Sequence, residues 1–416
     1  MDNNTRYDLL IKNGHVIDPA NKINGKMDVA VKDGIIACVA QQIDSRLAVK
    51  VVDVKGYYVI PGLVDIHTHV YPIFPYQGLA GINADDHLLK AGCTTAVDAG
   101  SVGWRDFLYF KERVIDTSVC RILAFLNVCA QGMLDNESEQ YCKNMHPEIV
   151  ASVVKAFPEY LVGVKSAHYR PGGRGGYDDE NPPWGSVDKA LEAGELSGTP
   201  CMIDFGVCLE YSPYDEFVTK KLRPGDIHTH VFAQQFPTID ENGKVYDYMW
   251  EARERGVLFD VGHGAGSFWF RNGVRALRNG FPPDTISTDL HTGSIRGAVL
   301  SMLHTMGKFL NMGMPLEEVV ARSTYIPAKV INRPDLGTLS VGSCADIAVI
   351  SEILGDFDYI DNGNAKIKGK SKLDCRMTIR EGKIVFDGYG MSMPLWEDAP
   401  RDTYWRPHSW QGFDNY

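Results

Sequence analysis

The chain lacks an excess of positive charge and lacks long apolar runs. Its 42 lysines and arginines are outnumbered by 53 aspartates and glutamates, which gives a formal net charge of -11. Because phosphate groups bind to basic surfaces, this balance argues against a nucleic acid or an anionic membrane as a partner. No apolar run reaches the roughly 18 residues that a membrane-spanning helix needs, so we expect no membrane span.

The chain also lacks a regular cysteine pattern. Its nine cysteines are scattered and never stand in C-x-x-C spacing. This distribution argues against a disulfide framework and favours a reducing compartment. The first four residues do not begin a cationic and then apolar signal segment. We therefore expect a cytoplasmic protein.

A pair of histidines is the most informative feature that is present. His67 and His69 end an apolar stretch that begins at Val59 and contains Pro61-Gly62. This pattern predicts a buried strand. Since side chains alternate along a strand, both imidazoles point to the same side. Two imidazoles on one side form half of a site for a metal such as zinc.

The pattern of apolar and polar residues changes after Leu63. Residues 7–59 are strand-like, with the hairpin signals Asn13-Gly14 and Asp33-Gly34. Beyond them apolar strands alternate with helical stretches. The predicted strands are the one that ends at His69 and those at 94–99, 122–127, 161–165, 200–204, 226–230, 258–262 and 285–289. Eight strands separated by helices predict an α/β fold with a closed, TIM-like (β/α)8 barrel.

Short strands return from about Gly337. Residues 342–350 and 378–385 are similar to the N-terminal hairpins. Neither end is large enough for a good core alone, so we expect both to form one small β-sandwich domain beside the barrel.

The resulting division of the chain has four parts. Residues 1–59 and 335–390 are the two parts of the β-sandwich domain, 60–334 the barrel, and 391–416 a C-terminal tail. The tail holds Trp396, Trp405 and Trp410, and so aromatic a segment is expected to dock on the body or on another subunit.

In barrels of this kind, the active-site residues lie at the C-terminal ends of the strands. In chain order these ends hold His67, His69, Lys165, Asp204, His230 and Asp289. This order resembles the amidohydrolase superfamily. Its two-metal members carry H-x-H on the first strand, a carboxylated lysine on the fourth, histidines on the fifth and sixth, and an aspartate on the eighth. Residues 59–69 and 342–346 also look like this family, and the resemblance covers nearly the whole chain.

Within the superfamily the chain looks closest to the dihydroorotase-like amidohydrolase/deacetylase group. The stretches 163–165, 225–232, 259–264 and 286–291 carry this resemblance. It implies hydrolysis of a small amide or ester, of the N-acyl amino acid or acetylated hydroxy acid type, by a metal-activated hydroxide. Two alternatives remain open: ring opening of a cyclic amide, as in dihydroorotases and hydantoinases, and a catalytically silent barrel with an assembly role.

The resemblance also implies the roles of the strand-end residues. His67, His69, Lys165, Asp204, His230 and Asp289 are the expected metal ligands, with Asp289 also the catalytic proton shuttle. The cofactors implied are one or two divalent ions, zinc or else manganese, and carbon dioxide for carboxylation of Lys165. Burial favours the neutral amine that this reaction needs. We expect a small-molecule substrate and a homo-oligomer.

Residues just beyond the strand ends are candidates for binding substrate. Arg170, His263 and His291 are expected to hold its oxyanion or carboxylate, the alternative being loop packing or exposure to solvent. His228, in a second His-Thr-His, is expected to face the same side as His230 and either to support the metal site from behind or to pack in the core. The glycine-rich residues 171–176 are expected to form an active-site flap.

Asp204 departs from the family pattern, which has histidine at the end of the fifth strand. An aspartate oxygen binds zinc but favours harder ions. Three alternatives remain open: Asp204 is a ligand, His228 takes its place, or only one metal is bound.

Overall fold

The computed structural model describes residues 7–71, 81–134, 137–170, 177–204, 206 and 210–399. The strands in these ranges are β1 (Tyr7–Asp18), β2 (Ile23–Lys32), β3 (Ile35–Ala40), β4 (Ala48–Asp53), β5 (Tyr58–Pro61), β6 (Leu63–Thr68), β7 (Cys93–Ala99), β8 (Arg121–Asn127), β9 (Leu161–Ser166), β10 (Cys201–Ile203), β11 (Ile227–His228), β12 (Leu258–Phe259), β13 (Ile347–Ile360), β14 (Lys366–Arg380) and β15 (Lys383–Phe386). The helices are α1 (Ala84–His87), α2 (Phe107–Phe110), α3 (Pro147–Ala156), α4 (Gly185–Ser197), α5 (Tyr214–Glu216), α6 (Asp247–Glu254), α7 (Phe270–Arg278), α8 (Met302–Asn311), α9 (Leu316–Ala321) and α10 (Tyr325–Val330). Across these described ranges, no helix combines the length and the apolar character that crossing a membrane requires.

Seven parallel strands form the sheet that carries the site. They pair in chain order from β6 to β12. Every residue of β6, β7 and β9 is buried, as expected for a parallel sheet that is covered on both faces. Because parallel strands end at one edge, the residues that follow these strands lie on the same side of the sheet.

The eighth predicted strand, residues 285–289, is not a regular strand. The segment and the residue after it contribute two isolated parallel bridges, Thr285 to Asp260 beyond β12 and Leu290 to Thr68 on β6. Asp289 has a φ of 50°, which ends the extended backbone there. The segment thus connects the two edges of the parallel sheet without regular strand pairing.

A buried carboxyl group ties this segment to β6. Asp65 accepts hydrogen bonds from the Thr288 hydroxyl at 2.5 Å and from the Thr288 backbone N–H at 3.1 Å. Burial raises the pKa of Asp65 to about 7. This contact fixes the position of the residue that follows Thr288, which is Asp289.

The two ends of the chain share one mixed sheet of eight strands. Its order is β15-β14-β13-β5-β1-β2-β3, and β4 also pairs with β1. β5 joins the ends, because it pairs with β1 on one side and with β13 on the other. The expected sandwich therefore takes the form of one continuous sheet, whose own core combines side chains from both ends, such as Leu9, Val29, Val349 and Met377.

The two N-terminal turn signals have different outcomes. Asp33 and Gly34 both have positive φ, 52° and 77°, and join β2 to β3 as the predicted hairpin. The hairpin predicted at Asn13-Gly14 is wrong. β1 continues to Asp18, and its register shifts between Ile11 and Gly14. Asn13, with a φ of 62°, sits in this bulge and donates its backbone N–H to Asp28 at 2.8 Å, so the strand bends without reversing.

Part of the tail and the glycine-rich loop lie outside the described residues. These include residues 171–176 and, in the tail, Trp405 and Trp410. Trp396 is described and is 83 % exposed, so it does not dock on the body of this chain.

The Asp28 carboxylate generates a prediction about stability. It accepts hydrogen bonds from the Asn13 and Ile43 backbone N–H groups and from Lys12 Nζ, at 2.8 to 2.9 Å. Asp28→Ala leaves these donors without their partner, so we expect the free energy of unfolding to fall by about 2–4 kcal/mol in urea denaturation at pH 7. The exposed Asp179→Ala is the control.

The same substitution predicts a pH dependence. Burial alone raises the pKa of Asp28, but the hydrogen bonds from Asn13, Lys12 and Ile43 hold it below its ordinary value. The stabilisation is therefore present above the ordinary pKa and is lost as pH falls through the lower folded value. The stability difference between wild type and variant should shrink in acid. A difference that grows in acid, or equal losses in both variants at pH 7, would contradict this account.

Candidate active site

A cavity opens where the parallel strands end. All six predicted ligands line it, His67, His69, Lys165, Asp204, His230 and Asp289, together with His291. The other described residues that line it are Tyr71, Gly81, Ser101, Met133, Ala167 and His168. The structure therefore brings all six residues to one cavity.

Imidazole nitrogens and carboxylate oxygens converge in this cavity. His67, His230 and Asp289 each present one ligand atom within 4.8 Å of the others. Asp289 Oδ1 lies 3.1 Å from His69 Nε2 and 3.6 Å from His67 Nε2. Asp204 Oδ2 lies 3.4 Å from His230 Nε2. These donors are the types that zinc and manganese take in proteins, so the residues fit a divalent ion.

Contacts behind the rings of His67 and His69 orient them. His67 Nδ1 lies 2.8 Å from the Thr229 hydroxyl, which donates to Asp260 at 2.7 Å. His69 Nδ1 likewise lies 2.8 Å from the Ser101 hydroxyl, which donates to a carboxylate, that of Asp98, at 2.8 Å. Both rings thus use Nδ1 for a hydroxyl–carboxylate pair and turn Nε2 toward Asp289.

The pKa values of His67 and His230 shift in opposite directions. Burial lowers the pKa of His67 to about 3, so the ring is neutral, as a metal ligand must be. His230 Nδ1 lies 2.5 Å from the Gly262 carbonyl oxygen. Although burial lowers the pKa of His230, the neighbouring Asp204 carboxylate holds it above its ordinary value.

Lys165 lies at the end of β9 and is 1 % exposed. Burial lowers its pKa, although the carboxylates of Asp204 and Asp289 oppose the shift. Gly100 packs against its stem, since a Cβ at that position would lie 2.6 Å from Lys165 Cγ. The lysine amine is thus held in a buried place where its neutral form is favoured.

Asp204 follows β10 and faces the same cavity. Burial raises its pKa, but His230, Lys165 and His168 together hold the pKa of Asp204 well below its ordinary value. The position that departs from the family pattern therefore presents an ionised carboxylate to the cavity.

The prediction that His228 faces the same side as His230 is wrong. β11 ends at His228 and His230 has a φ of 61°, so strand alternation does not extend across the pair. His228 Nε2 lies 2.9 Å from the Tyr214 hydroxyl, and its ring packs on Phe217 and Phe236. Burial lowers the pKa of His228 to about 3. It is part of an aromatic core and does not line the cavity.

Two of the three predicted substrate-binding residues also lie away from the described cavity lining. His263 Nε2 accepts a hydrogen bond from Lys308 Nζ at 2.6 Å, and its ring stacks on Phe268 at 4.6 Å. The His263 side chain therefore packs behind the site and does not face the cavity. Arg170 is exposed. His291 does line the cavity, with its ring centroid 6.1 Å from that of His69.

Several residues of the site were not predicted. His168 lines the cavity three residues after Lys165, and the strand-end rule that found the lysine also points to it. Thr229 and Ser101 bear the hydroxyl groups behind His67 and His69. Thr229 stands between two histidines in the sequence, and this position could have indicated that it belongs to the site. No neighbouring residue in the sequence indicates the same for Ser101.

Known proteins similar to this chain give its family. A model of the amidohydrolase family matches residues 271–385. A deacetylase of Brucella anthropi is 31% identical over 340 residues, which cover 80% of each chain. A solved adenine deaminase is 26% identical, with a TM-score of 0.82 over 92% of this chain and 100% of that one. A solved dihydroorotase is also 26% identical, with a TM-score of 0.78 over 91% and 97%.

The chain belongs to the amidohydrolase family. It is a metal-dependent enzyme that hydrolyses C–N bonds, which confirms the resemblance seen in the sequence. The likeness to the solved structures implies that the seven-stranded parallel sheet belongs to a TIM-like barrel.

The contact behind His67 generates a prediction about metal affinity. Thr229→Val keeps the side-chain shape but removes the hydroxyl between His67 and Asp260. We expect the affinity for zinc to fall by about 10–100-fold, the usual effect of losing a partner behind a ligand. Competition with a chromogenic chelator measures this. Thr117→Val, at an exposed threonine whose hydroxyl donates to the Arg113 carbonyl oxygen, is the matched control. Unchanged affinity in Thr229→Val would contradict the orienting role.

Proposed function

We propose that this enzyme removes an acyl group from a small amide or ester, of the N-acyl amino acid or acetylated hydroxy acid type. The observation that carries the proposal is the convergence of His67, His69, His230 and Asp289 beside buried Lys165 in one cavity. The similarity to a deacetylase over 80% of each chain supports this choice of substrate.

The residues proposed to hold one or two divalent ions, zinc or manganese, are His67, His69, Lys165, Asp204, His230 and Asp289. Such ions, when bound, polarise a substrate carbonyl and lower the pKa of water. Burial lowers the pKa of the Lys165 amine, which favours the neutral form that reacts with carbon dioxide. The carbamate, formed with release of one proton, would offer two oxygens as metal ligands. The ionised carboxylate of Asp204 adds a negative charge where relatives have a neutral histidine, which favours harder ions such as manganese.

Asp289 is the group proposed to move the proton. Burial raises its pKa, but His67, His69 and His291 hold the pKa of Asp289 well below its ordinary value, so it is ionised. Its Oδ1 lies between the Nε2 atoms of His67 and His69, where it accepts a proton from the attacking water. It then delivers this proton to the leaving nitrogen or oxygen.

His291 is proposed to donate a hydrogen bond to the substrate. Its Nδ1 accepts the Gly293 backbone N–H at 3.1 Å, so the proton of the neutral ring lies on Nε2. Burial lowers the pKa of His291, which favours that neutral form. An Nε2–H in the cavity is suited to a carbonyl oxygen that gains negative charge.

Ring opening of a cyclic amide is the second candidate. The solved dihydroorotase with a TM-score of 0.78 supports it, because the same cluster of ligands would serve that reaction. A silent barrel has less support, since the imidazoles, the lysine and the carboxylates all remain assembled in the cavity.

A substrate panel tests the proposal. Protein loaded with zinc or manganese is assayed against N-acetyl amino acids of both chiralities, O-acetylated hydroxy acids, dihydroorotate, hydantoins and adenine. We expect hydrolysis of an N-acetyl or O-acetyl compound at the highest kcat/KM. Turnover of a cyclic amide or of adenine alone would replace the proposed function.

The role of Asp289 predicts the effect of Asp289→Asn. The amide keeps the shape but cannot accept the proton, so we expect kcat to fall about 100-fold or more. Metal content is measured on the same sample, because Asp289 is also a proposed ligand. A variant that keeps its metal and near-normal kcat would assign proton transfer to another group.

A further inference from the structure

His168 lines the active-site cavity but belongs to neither the proposed metal ligands nor the predicted substrate-binding residues. It follows β9, three residues after Lys165, so it lies on the side of the sheet where the ligands converge. Its φ of 56° is a left-handed conformation that residues other than glycine adopt at a cost. The surrounding contacts must hold this backbone in place.

A buried acidic side chain holds the His168 ring. His168 Nδ1 lies 2.9 Å from Glu139 Oε2, and Glu139 is 1 % exposed. The other oxygen, Glu139 Oε1, accepts a hydrogen bond from Asn127 Nδ2 at 3.0 Å. The carboxylate is therefore fixed from both oxygens and keeps the ring in one orientation.

The next residue holds the backbone of the same loop. Gln140 Nε2 donates to the His168 carbonyl oxygen at 2.8 Å, and Gln140 Oε1 accepts the Arg170 backbone N–H at 2.5 Å. Glu139 and Gln140 thus fix both the side chain and the strained backbone of His168. Such support of an unfavourable backbone conformation beside a reactive cavity is typical of a residue with a role in that site.

The pairing also shifts the pKa of His168. Burial alone lowers its pKa, but the Glu139 carboxylate holds the pKa of His168 above its ordinary value. The side chain is 33 % exposed, while its partner is buried. Because His168 also lines the cavity, its imidazole can be reached by an anionic group of a bound substrate.

We infer that His168, positioned by Glu139, binds the carboxylate of the substrate while the scissile carbonyl lies at the His67–Asp289 cluster. This inference rests on the proposed function and names the residue that recognises the free carboxylate shared by N-acyl amino acids and acetylated hydroxy acids. An acylated amine, or a compound whose carboxylate is masked as an amide, would lose this contact.

The test compares N-acetylmethionine with N-acetylmethioninamide, each as both enantiomers, on the metal-loaded enzyme. The two probes differ in charge but hardly in shape. For the wild type we expect kcat/KM for the acid to exceed that for the amide by at least about tenfold, the range of one charge-assisted hydrogen bond. His168→Gln should reduce this ratio by about 10–100-fold, mainly through KM of the acid. His15→Gln, on an exposed histidine of the mixed sheet, is the control and should leave the ratio unchanged.

Glu139→Gln tests the positioning role. It should lower the same ratio, and the double variant should lose little more than His168→Gln alone, because Glu139 acts through His168. Metal content is measured for each variant. A loss of activity that is equal for the acid and the amide would indicate a merely structural role and would overturn the inference.

Calorimetry separates failure of this inference from failure of the proposed function. If the wild type hydrolyses neither probe, the proposed function fails for this class, and binding of the two probes is then compared directly. Tighter binding of the acid that is lost in His168→Gln supports the inference. Equal binding of acid and amide by the wild type, or binding of neither, overturns it.

Discussion

The orientation of the imidazole rings is the constraint on which the site depends. His67 and His69 turn Nε2 toward Asp289 because a hydroxyl group backed by a carboxylate occupies each Nδ1. Asp98 belongs to β7, and Thr229 and Asp260 directly follow β11 and β12. The ligand geometry is therefore set by strands other than the one that bears the histidines, and it exists only when the parallel sheet is assembled.

The segment before Asp289 shows how this sheet places a carboxylate in the cavity. The Asp65–Thr288 contact and the hydrogen bond from the Asp289 backbone N–H to the His67 carbonyl oxygen, at 2.6 Å, connect the segment to β6. The left-handed backbone of Asp289 then turns its side chain between two imidazoles. If residue 289 had kept the extended conformation, the backbone would not turn at this point. The positive φ of Asp289 is therefore part of what places its carboxylate beside the two imidazoles.

Patterns that depend on the strand ends were predictable from the sequence. The apolar runs before His67, Lys165 and Asp204 mark buried strands, and the common direction of parallel strands brings their ends together. The prediction failed where a single residue leaves the extended conformation. His230 has positive φ, so His228 faces an aromatic core, and Asn13 has positive φ, so its strand bulges where a hairpin was expected.

Contacts between distant parts of the chain were beyond prediction. Nothing near His263 in the sequence indicates that Lys308, 45 residues away, donates a hydrogen bond to its Nε2. In the same way, Glu139 meets His168 across 29 residues, and no local pattern joins them. Such pairs depend on tertiary packing, which a single sequence does not display.

A crystal structure of the enzyme purified without chelator, with anomalous diffraction measured at the zinc and manganese edges, tests the central claim most directly. The account predicts metal bound to the Nε2 atoms of His67, His69 and His230 and to Asp289, with Lys165 extended by a carbamate. Metal bound elsewhere, or a fully metallated site in which Lys165 ends in an ordinary amine and Asp289 makes no contact with the ion, would contradict it.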